Sequence, residues 1–262
     1  MQIGSYNNTE AVKEQYKTAD GLDIRISFHN KYSTNKLGFA NWIVSNYEIV
    51  EGMKVLEIGC GTGSLWHGQD EMMRKFGKLI LTDFSEGMLE MAKANIGNKS
   101  NVEFQQADIQ DLNFEDNSFD MVIANSMLYH VPDLNKGLRE VRRVLKDDGT
   151  FYCSTMGENN FIERLAEWFQ LGGEDFRPNH NFTLQNGREK MQVAFSDIEA
   201  RTYPDSLHIT DVDDLVSYLT SLASLKALND VPAEKLKEII MEYAVNGVVD
   251  LPKEYGMFVA KG

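Results

Sequence analysis

The chain has 262 residues, 42% hydrophobic and 25% charged, ordinary globular usage at a length that can bury a sizeable core. Its formal net charge of −14 repels a phosphate backbone over most of the surface, which makes nucleic acid a poor partner. The two cysteines, Cys60 and Cys153, lack disulfide or zinc spacing, residues 1–20 hold no apolar stretch fit for a signal peptide, and no segment approaches the roughly 20 apolar residues of a membrane span, so a cytoplasmic protein without a membrane partner is expected.

Before Glu51 the pattern is helical, with Leu37, Ala40, Val44 and Tyr47 on one face. The period then changes. Lys54 to Ile58 is a short apolar run that stops at glycines, as a buried strand does, and further runs follow at Leu79 to Asp83, Val102 to Phe104, Phe119 to Ala124 and Thr150 to Ser154. Helical stretches lie between them. One is Met88 to Ala94. Another has Asp133 as its N-cap, apolar positions at Leu134, Leu138, Val141 and Leu145, and Gly149 just past its end. Strand alternating with helix implies an α/β fold with a parallel sheet covered on both faces.

The last third differs. Phe161 to Phe169 is an amphipathic helix ending near Gly172, and Glu174 to Gly187 is polar and irregular. A strand is expected at Ile198 to Tyr203. Two helical segments follow, one carrying Val212, Leu215, Leu219, Leu222 and Leu225, the other running from Pro232 to about Gly247. Gly256 to Ala260 reads as a final strand. The expected organisation is an N-terminal helical lid over residues 1–50, then one domain over 51–262 with cap elements at about 157–195 and 204–250.

The most informative segment is Val55 to Gly63, where a strand runs into Gly59-Cys60-Gly61-Thr62-Gly63 and a helix is expected from about Ser64. Glycines let the backbone turn sharply and let a ligand approach, and the carboxyl end of a parallel strand is where open α/β sheets bind ligands. Nicotinamide dinucleotide folds use a similar loop, but here the third glycine comes one residue early for that fingerprint. Glu57 at the mouth of the loop would repel a pyrophosphate and suit a ligand carrying an ammonium and a sulfonium. It is also open to a purely structural reading, as a buried carboxylate satisfied by loop amides. Asp83 closes the second strand 20 residues after Gly63, and its carboxylate can accept from the two hydroxyls of a ribose, or merely cap the next turn. Asp108 follows the third strand, where it can accept from an adenine amino group while Ile109 offers an N–H and an apolar wall.

With these motifs in hand the chain resembles the class I, Rossmann-like, S-adenosylmethionine-dependent methyltransferases of the small-molecule type. The likeness runs from about Met53 to Phe151 and more weakly to Gly262. It is carried by Val55 to Gly63, Asp83 to Leu89, Ala107-Asp108-Ile109, Asn117 to Val122, Leu128 to Asp133 and Leu145 to Gly149; Asn113 departs from it where relatives often carry proline. The resemblance implies a seven-stranded, mostly parallel sheet whose last strand is antiparallel, with a helical cap or insertion in the C-terminal third. It implies S-adenosylmethionine as cofactor, with S-adenosylhomocysteine as its product. Glu57, Gly59, Cys60, Gly61 and Gly63 would surround its methionine part and Asp83 its ribose. Phe84 and Met88 would flank the adenine, Asp108 and Ile109 would read its edge, and Asn125 would lie where the fourth strand passes the sulfonium, often through its backbone carbonyl.

Methyl transfer needs alignment and exclusion of water, and a general base only when the acceptor must lose a proton. His130, after the fourth strand, is the candidate base; ordering the loop before Pro132 is its other reading. In the segment Arg25 to Asn35, Arg25 is a candidate partner for the cofactor carboxylate, and Tyr32 or His29 for closing the cleft. His67, His180 and His208 have no metal-ligand spacing, and neither a nucleophile elbow nor a P-loop is present. The function expected is methyl transfer to a small organic acceptor. A nicotinamide-dependent oxidoreductase and a non-catalytic cofactor-binding protein on the same scaffold are the alternatives.

Overall fold

In a computed structural model, residues 19–173, 176 and 178–261 are described. The chain divides into two units. The sheet unit comprises Phe39–Met156, Asn181–Thr202 and Gly256–Gly262. The second unit comprises Met1–Gly38 (described from Ala19), Gly157–His180 and Tyr203–Tyr255.

The sheet is built from β1 (Lys54–Ile58), β2 (Lys78–Asp83), β3 (Val102–Gln106), β4 (Phe119–Asn125), β5 (Leu145–Met156), β6 (Asp197–Tyr203) and β9 (Tyr255–Lys261), in the order β3-β2-β1-β4-β5-β9-β6. The pairs β1–β2, β1–β4, β2–β3 and β4–β5 are parallel, and β9, the last strand, is antiparallel. The expected seven-stranded sheet is therefore present. Successive side chains point to opposite faces of a strand, and each face has its own core. Leu56, Ile58, Ile80, Val122, Ala124, Phe151 and Cys153 belong to one core. Val55, Leu79, Leu81, Met121, Ile123 and Tyr152 belong to the other. Helices cover both. On the Val55 face lie α2 (Phe39–Ser45), α3 (Asp70–Lys75) and α4 (Glu86–Ile96). On the Leu56 face lie α5 (Leu134–Val144) and α7 (Gly187–Met191).

In the second unit α1 (Ala19–Tyr32), α6 (Phe161–Trp168), α8 (Val212–Thr220) and α9 (Ala233–Glu242) gather around Leu165, Leu215, Leu219, Leu236 and Ile240. A two-stranded antiparallel sheet joins them, β7 (Ser206–Ile209) paired with β8 (Val249–Pro252). Leu207 and Ile209 on one strand, and Val249 and Leu251 on the other, turn into that core.

Several local expectations are corrected. Past the glycine loop there is no helix at Ser64 but a 3₁₀ turn, Ser64–Trp66; Gly68, at φ +76°, breaks the path before α3. The helix expected over Leu37 to Tyr47 is only Phe39–Ser45, because Gly38 adopts φ +79°. Leu37 is left exposed and Tyr47 lies beyond the helix end. β7 and β8 replace irregular or helical chain in the expected helical cap, since two alternating runs of four residues are too short to declare themselves. Asp133 does cap α5, accepting from the Lys136 N–H at 2.9 Å, but that helix passes into β5 at Leu145 with no loop. Gly149 instead lies within β5, beside a register irregularity between Phe119 and Met121. Residues 174, 175 and 177 of the expected irregular stretch, and 1–18 of the expected lid, lie outside the described residues.

Candidate cofactor site

Strand order reverses between β1 and β4, each of which pairs with the other and leads outward in an opposite direction. In a parallel sheet the loops on either side of such a reversal diverge and leave a crevice at the carboxyl ends. Four neighbouring strands, β3, β2, β1 and β4, bring their carboxyl ends to that edge. They place Asp108, Asp83, the glycine loop with Glu57, and Asn125 side by side in that order.

The three loop glycines all have positive φ, +71° at Gly59, +55° at Gly61 and +73° at Gly63, a region costly for any residue with a Cβ. Their surroundings differ. A Cβ on Gly59 would meet Met127 at 2.9 Å and one on Gly63 would meet Ile96 at 2.7 Å, whereas one on Gly61 would meet nothing within 4 Å. Gly59 and Gly63 are therefore closed in by protein, and Gly61 faces open space. The loop is pinned from β2: the Gly61 N–H donates to Asp83 Oδ2 at 2.8 Å, and the Ser85 N–H donates to Asp83 Oδ1 at 2.9 Å. Each carboxylate oxygen keeps a lone pair for a further donor. Phe84, next in sequence, is 62% exposed, and Met88 on α4 is half-buried.

Glu57 is only 2% exposed. Trp66 Nε1–H donates to its Oε2 at 2.6 Å, and the Asn125 amide nearby also favours the charged carboxylate. Burial, outweighing both, raises its pKa to about 7, with the Asp83 charge acting in the same direction. Of the two readings open to Glu57, loop amides do not satisfy it; the Trp66 indole does. Cys60 is buried in the core on the Val55 face, where burial, then Glu57 and Asp83, push its thiol pKa up.

The remaining expected residues divide. Asp108 Oδ1 accepts from the Gln110 N–H at 2.8 Å and closes a tight turn. Ile109 is buried in the core, its side chain within ordinary contact distance of a Cβ added at Gly137. Asn125 ends β4 and is followed by Ser126 at φ +51°, a strained conformation of the kind concentrated at binding sites. His130 is exposed on the 3₁₀ turn Leu128–His130 with its ring 4.5 Å from that of Tyr129. Arg25 and Tyr32 belong to the second unit and find partners there. Arg25 reaches the Ser221 carbonyl at 3.5 Å. The Tyr32 hydroxyl donates to Asp214 at 2.6 Å while its ring joins the unit's core. His29 lies with them, bonded to the Tyr218 hydroxyl at 3.2 Å.

A family model described as a methyltransferase domain matches residues 49–203, more than half of the chain. The chain belongs to the methyltransferase-domain family. A demethylmenaquinone methyltransferase from Staphylococcus aureus (strain MRSA252) is 37% identical to it over 111 residues, 42% of this chain and 46% of that protein. One from Staphylococcus epidermidis (strain ATCC 35984) is 35% identical over 152 residues, 55% of this chain and 61% of that protein. The chain thus spans about half the length of the curated relatives it matches. An S-adenosylmethionine-dependent methyltransferase from Mesorhizobium loti shares the fold, with a TM-score of 0.53 and 18% identity over 86% of this chain and 99% of that one.

Three side chains of this methyltransferase domain stand at the site without having been expected there: Trp66, Tyr47, expected only on a helix face, and Met127. Trp66 left one usable trace. A buried indole N–H needs an acceptor, and Glu57 is the nearest acidic residue in the preceding strand. Tyr47, whose hydroxyl accepts from Asn125 Nδ2 at 2.8 Å, is 78 residues from its partner and left none.

Proposed function

We propose that this chain transfers a methyl group from S-adenosylmethionine to a small organic acceptor. The observation that carries the reading is the row of acceptors along the carboxyl edge: Asn125 and Glu57 at the strand reversal, Asp83 one strand over, Asp108 one further. At about 4.8 Å per strand, the row suits an extended ligand with a cationic end, a ribose and a base. The residues present fit such a ligand. Gly61 has open space above it, Phe84 offers an exposed ring beside Asp83, and Asn125 Oδ1 is buried with no hydrogen-bond partner. A pyrophosphate fits less well, since a buried Glu57 that already resists ionisation would face more negative charge.

When bound, the cofactor supplies an electrophilic methyl on a sulfonium whose departure leaves a neutral thioether. The chain's own residues do the rest. Glu57 and Asn125 hold the cationic end, with Gly59 and Gly61 giving backbone access and Gly63 and Cys60 supporting the loop. Asp83 accepts from the ribose hydroxyls. Phe84 and Met88 flank the base, and Asp108 with the Ile109 N–H reads its edge. Arg25 and Tyr32 belong to the second unit and are left outside the cofactor set proposed for the sheet unit. His130 takes a proton from the acceptor if the acceptor has one to lose. Both thiols are free, in keeping with the reducing cytoplasm, and among the described residues no helix is long and apolar enough to cross a membrane.

Calorimetry tests the cofactor. S-adenosylhomocysteine should bind and NADH should not, and Asp83→Ala should weaken S-adenosylhomocysteine binding by roughly ten- to a hundredfold, the worth of one or two hydrogen bonds to a charged group. Tight NADH binding, or wild-type affinity in the Asp83 variant, overturns the assignment. Transfer of labelled methyl should then be sought across a panel of small acceptors. Demethylmenaquinone belongs in that panel because the curated relatives are demethylmenaquinone methyltransferases.

A further inference from the structure

The polar groups at the strand reversal form a closed set with one opening. Asn125 Nδ2 donates to Tyr47 Oη at 2.8 Å, the hydrogen bond that orients the amide. Trp66 occupies Glu57 Oε2 from its own side. What remains is Asn125 Oδ1, buried and unpartnered at the carboxyl end of β4. A buried polar atom with no partner is uncommon, and a bound donor would satisfy it. An amide oxygen beside a carboxylate accepts from a cation or a donor, never from an anion.

Tyr47 is itself held rigidly. It is buried just after α2, its N–H donates to the Val44 carbonyl at 3.2 Å, and its ring meets Tyr152 edge-on with centroids 4.9 Å apart. Burial and then the neighbouring Glu57 raise its pKa well above the ordinary value, so the hydroxyl stays neutral. We propose that Tyr47 is a positioning residue for cofactor binding: by accepting from the Asn125 amide nitrogen, it fixes the amide so that Oδ1 faces the cationic end of S-adenosylmethionine. The inference rests on the cofactor reading above and adds an atom and a residue to it. Without the Tyr47 hydroxyl the amide is free to turn over and present N–H groups to a cation.

The test is calorimetry on the whole chain with three probes. S-adenosylmethionine carries an ammonium and a sulfonium, S-adenosylhomocysteine the ammonium alone, and methylthioadenosine neither. Tyr47→Phe should weaken the first two about tenfold, the size of one charge-assisted hydrogen bond, and leave methylthioadenosine unchanged. Equal losses for the two charged probes assign Oδ1 to the ammonium, and a larger loss for S-adenosylmethionine assigns it to the sulfonium. In an Asn125→Leu background the Tyr47 substitution should have no further effect, since a residue that acts through another is silent once the other is gone. Unchanged affinities in Tyr47→Phe, an equal loss for all three probes, or additivity with Asn125→Leu would overturn the positioning role while leaving the cofactor reading in place. A wild-type chain that binds none of the probes would overturn both.

Discussion

A carboxylate as deeply buried as Glu57 ties stability to pH. Its pKa rises from 4.5 to about 7 on folding, chiefly through burial, so the folded chain holds a proton that the unfolded chain releases between those values. The stabilisation is complete below pH 4.5 and is lost as pH rises through 7, a swing of roughly 3 kcal/mol. Glu57→Gln keeps an acceptor for Trp66 and cannot ionise. The stability difference between wild type and this variant, from denaturant unfolding at pH 4.5 and at pH 8, should therefore change by about that amount against the wild type. A difference independent of pH would show that Glu57 does not carry the proton. At this scale legibility followed distance along the chain. Asp83 and the loop glycines could be read because strand, loop and carboxylate lie within one short stretch. The Tyr47–Asn125 bond, spanning 78 residues, is visible only once β4 lies beside β1.

The glycine loop is one element with unequal positions. Gly63→Ala would force a left-handed conformation on alanine and drive its methyl to 2.7 Å from the Ile96 side chain. Gly61→Ala meets only the backbone cost, of about 1–2 kcal/mol, because nothing lies within 4 Å. Thermal melts should thus show the larger loss for Gly63→Ala. Gly61→Ala should stay folded yet bind S-adenosylhomocysteine poorly, its methyl standing where the ligand approaches. The reverse ranking of the two melts would refute this division of roles. Most strands were legible because both faces of a central parallel sheet are buried, and continuous apolar runs such as Val55 to Ile58 follow directly from that. The pair β7 and β8 was not, because each has four residues and finds its partner some 40 positions away. The 3₁₀ turn at Ser64–Trp66 escaped for another reason: Trp66 is drawn to Glu57 by a tertiary contact that local preference does not encode.

Across the whole molecule the two units have separate cores, and the second has a polar centre of its own. Lys253 and Asp205 form an ion pair of 2.8 Å with side chains 6% and 0% exposed; Lys253 also donates to Ser33, and Asp205 accepts from the Asn35 and Ser206 N–H groups at 2.9 Å. Although burial opposes it, the Lys253 bond and these amides hold the Asp205 carboxyl below its ordinary range. Lys253→Met would strand that carboxylate at a cost of about 3–5 kcal/mol. Hydrogen exchange should report the loss at β7, β8 and α8 and leave β1, β2 and β4 protected. Uniform loss along the chain would mean that the units do not unfold separately. The overall α/β plan was readable from the alternation of periods. The interleaving of the units was not, because Gly38, Met156, His180, Thr202 and Tyr255, where the chain leaves one for the other, carry no common signal. One arrangement bears on how the protein is made. β6 has a single neighbour in the sheet, β9, and β9 is the final strand. During synthesis β6 therefore leaves the ribosome long before anything exists for it to pair with. The outer margin of the sheet can close only after residues 255–261 have emerged, which makes that margin the late and aggregation-exposed step of folding.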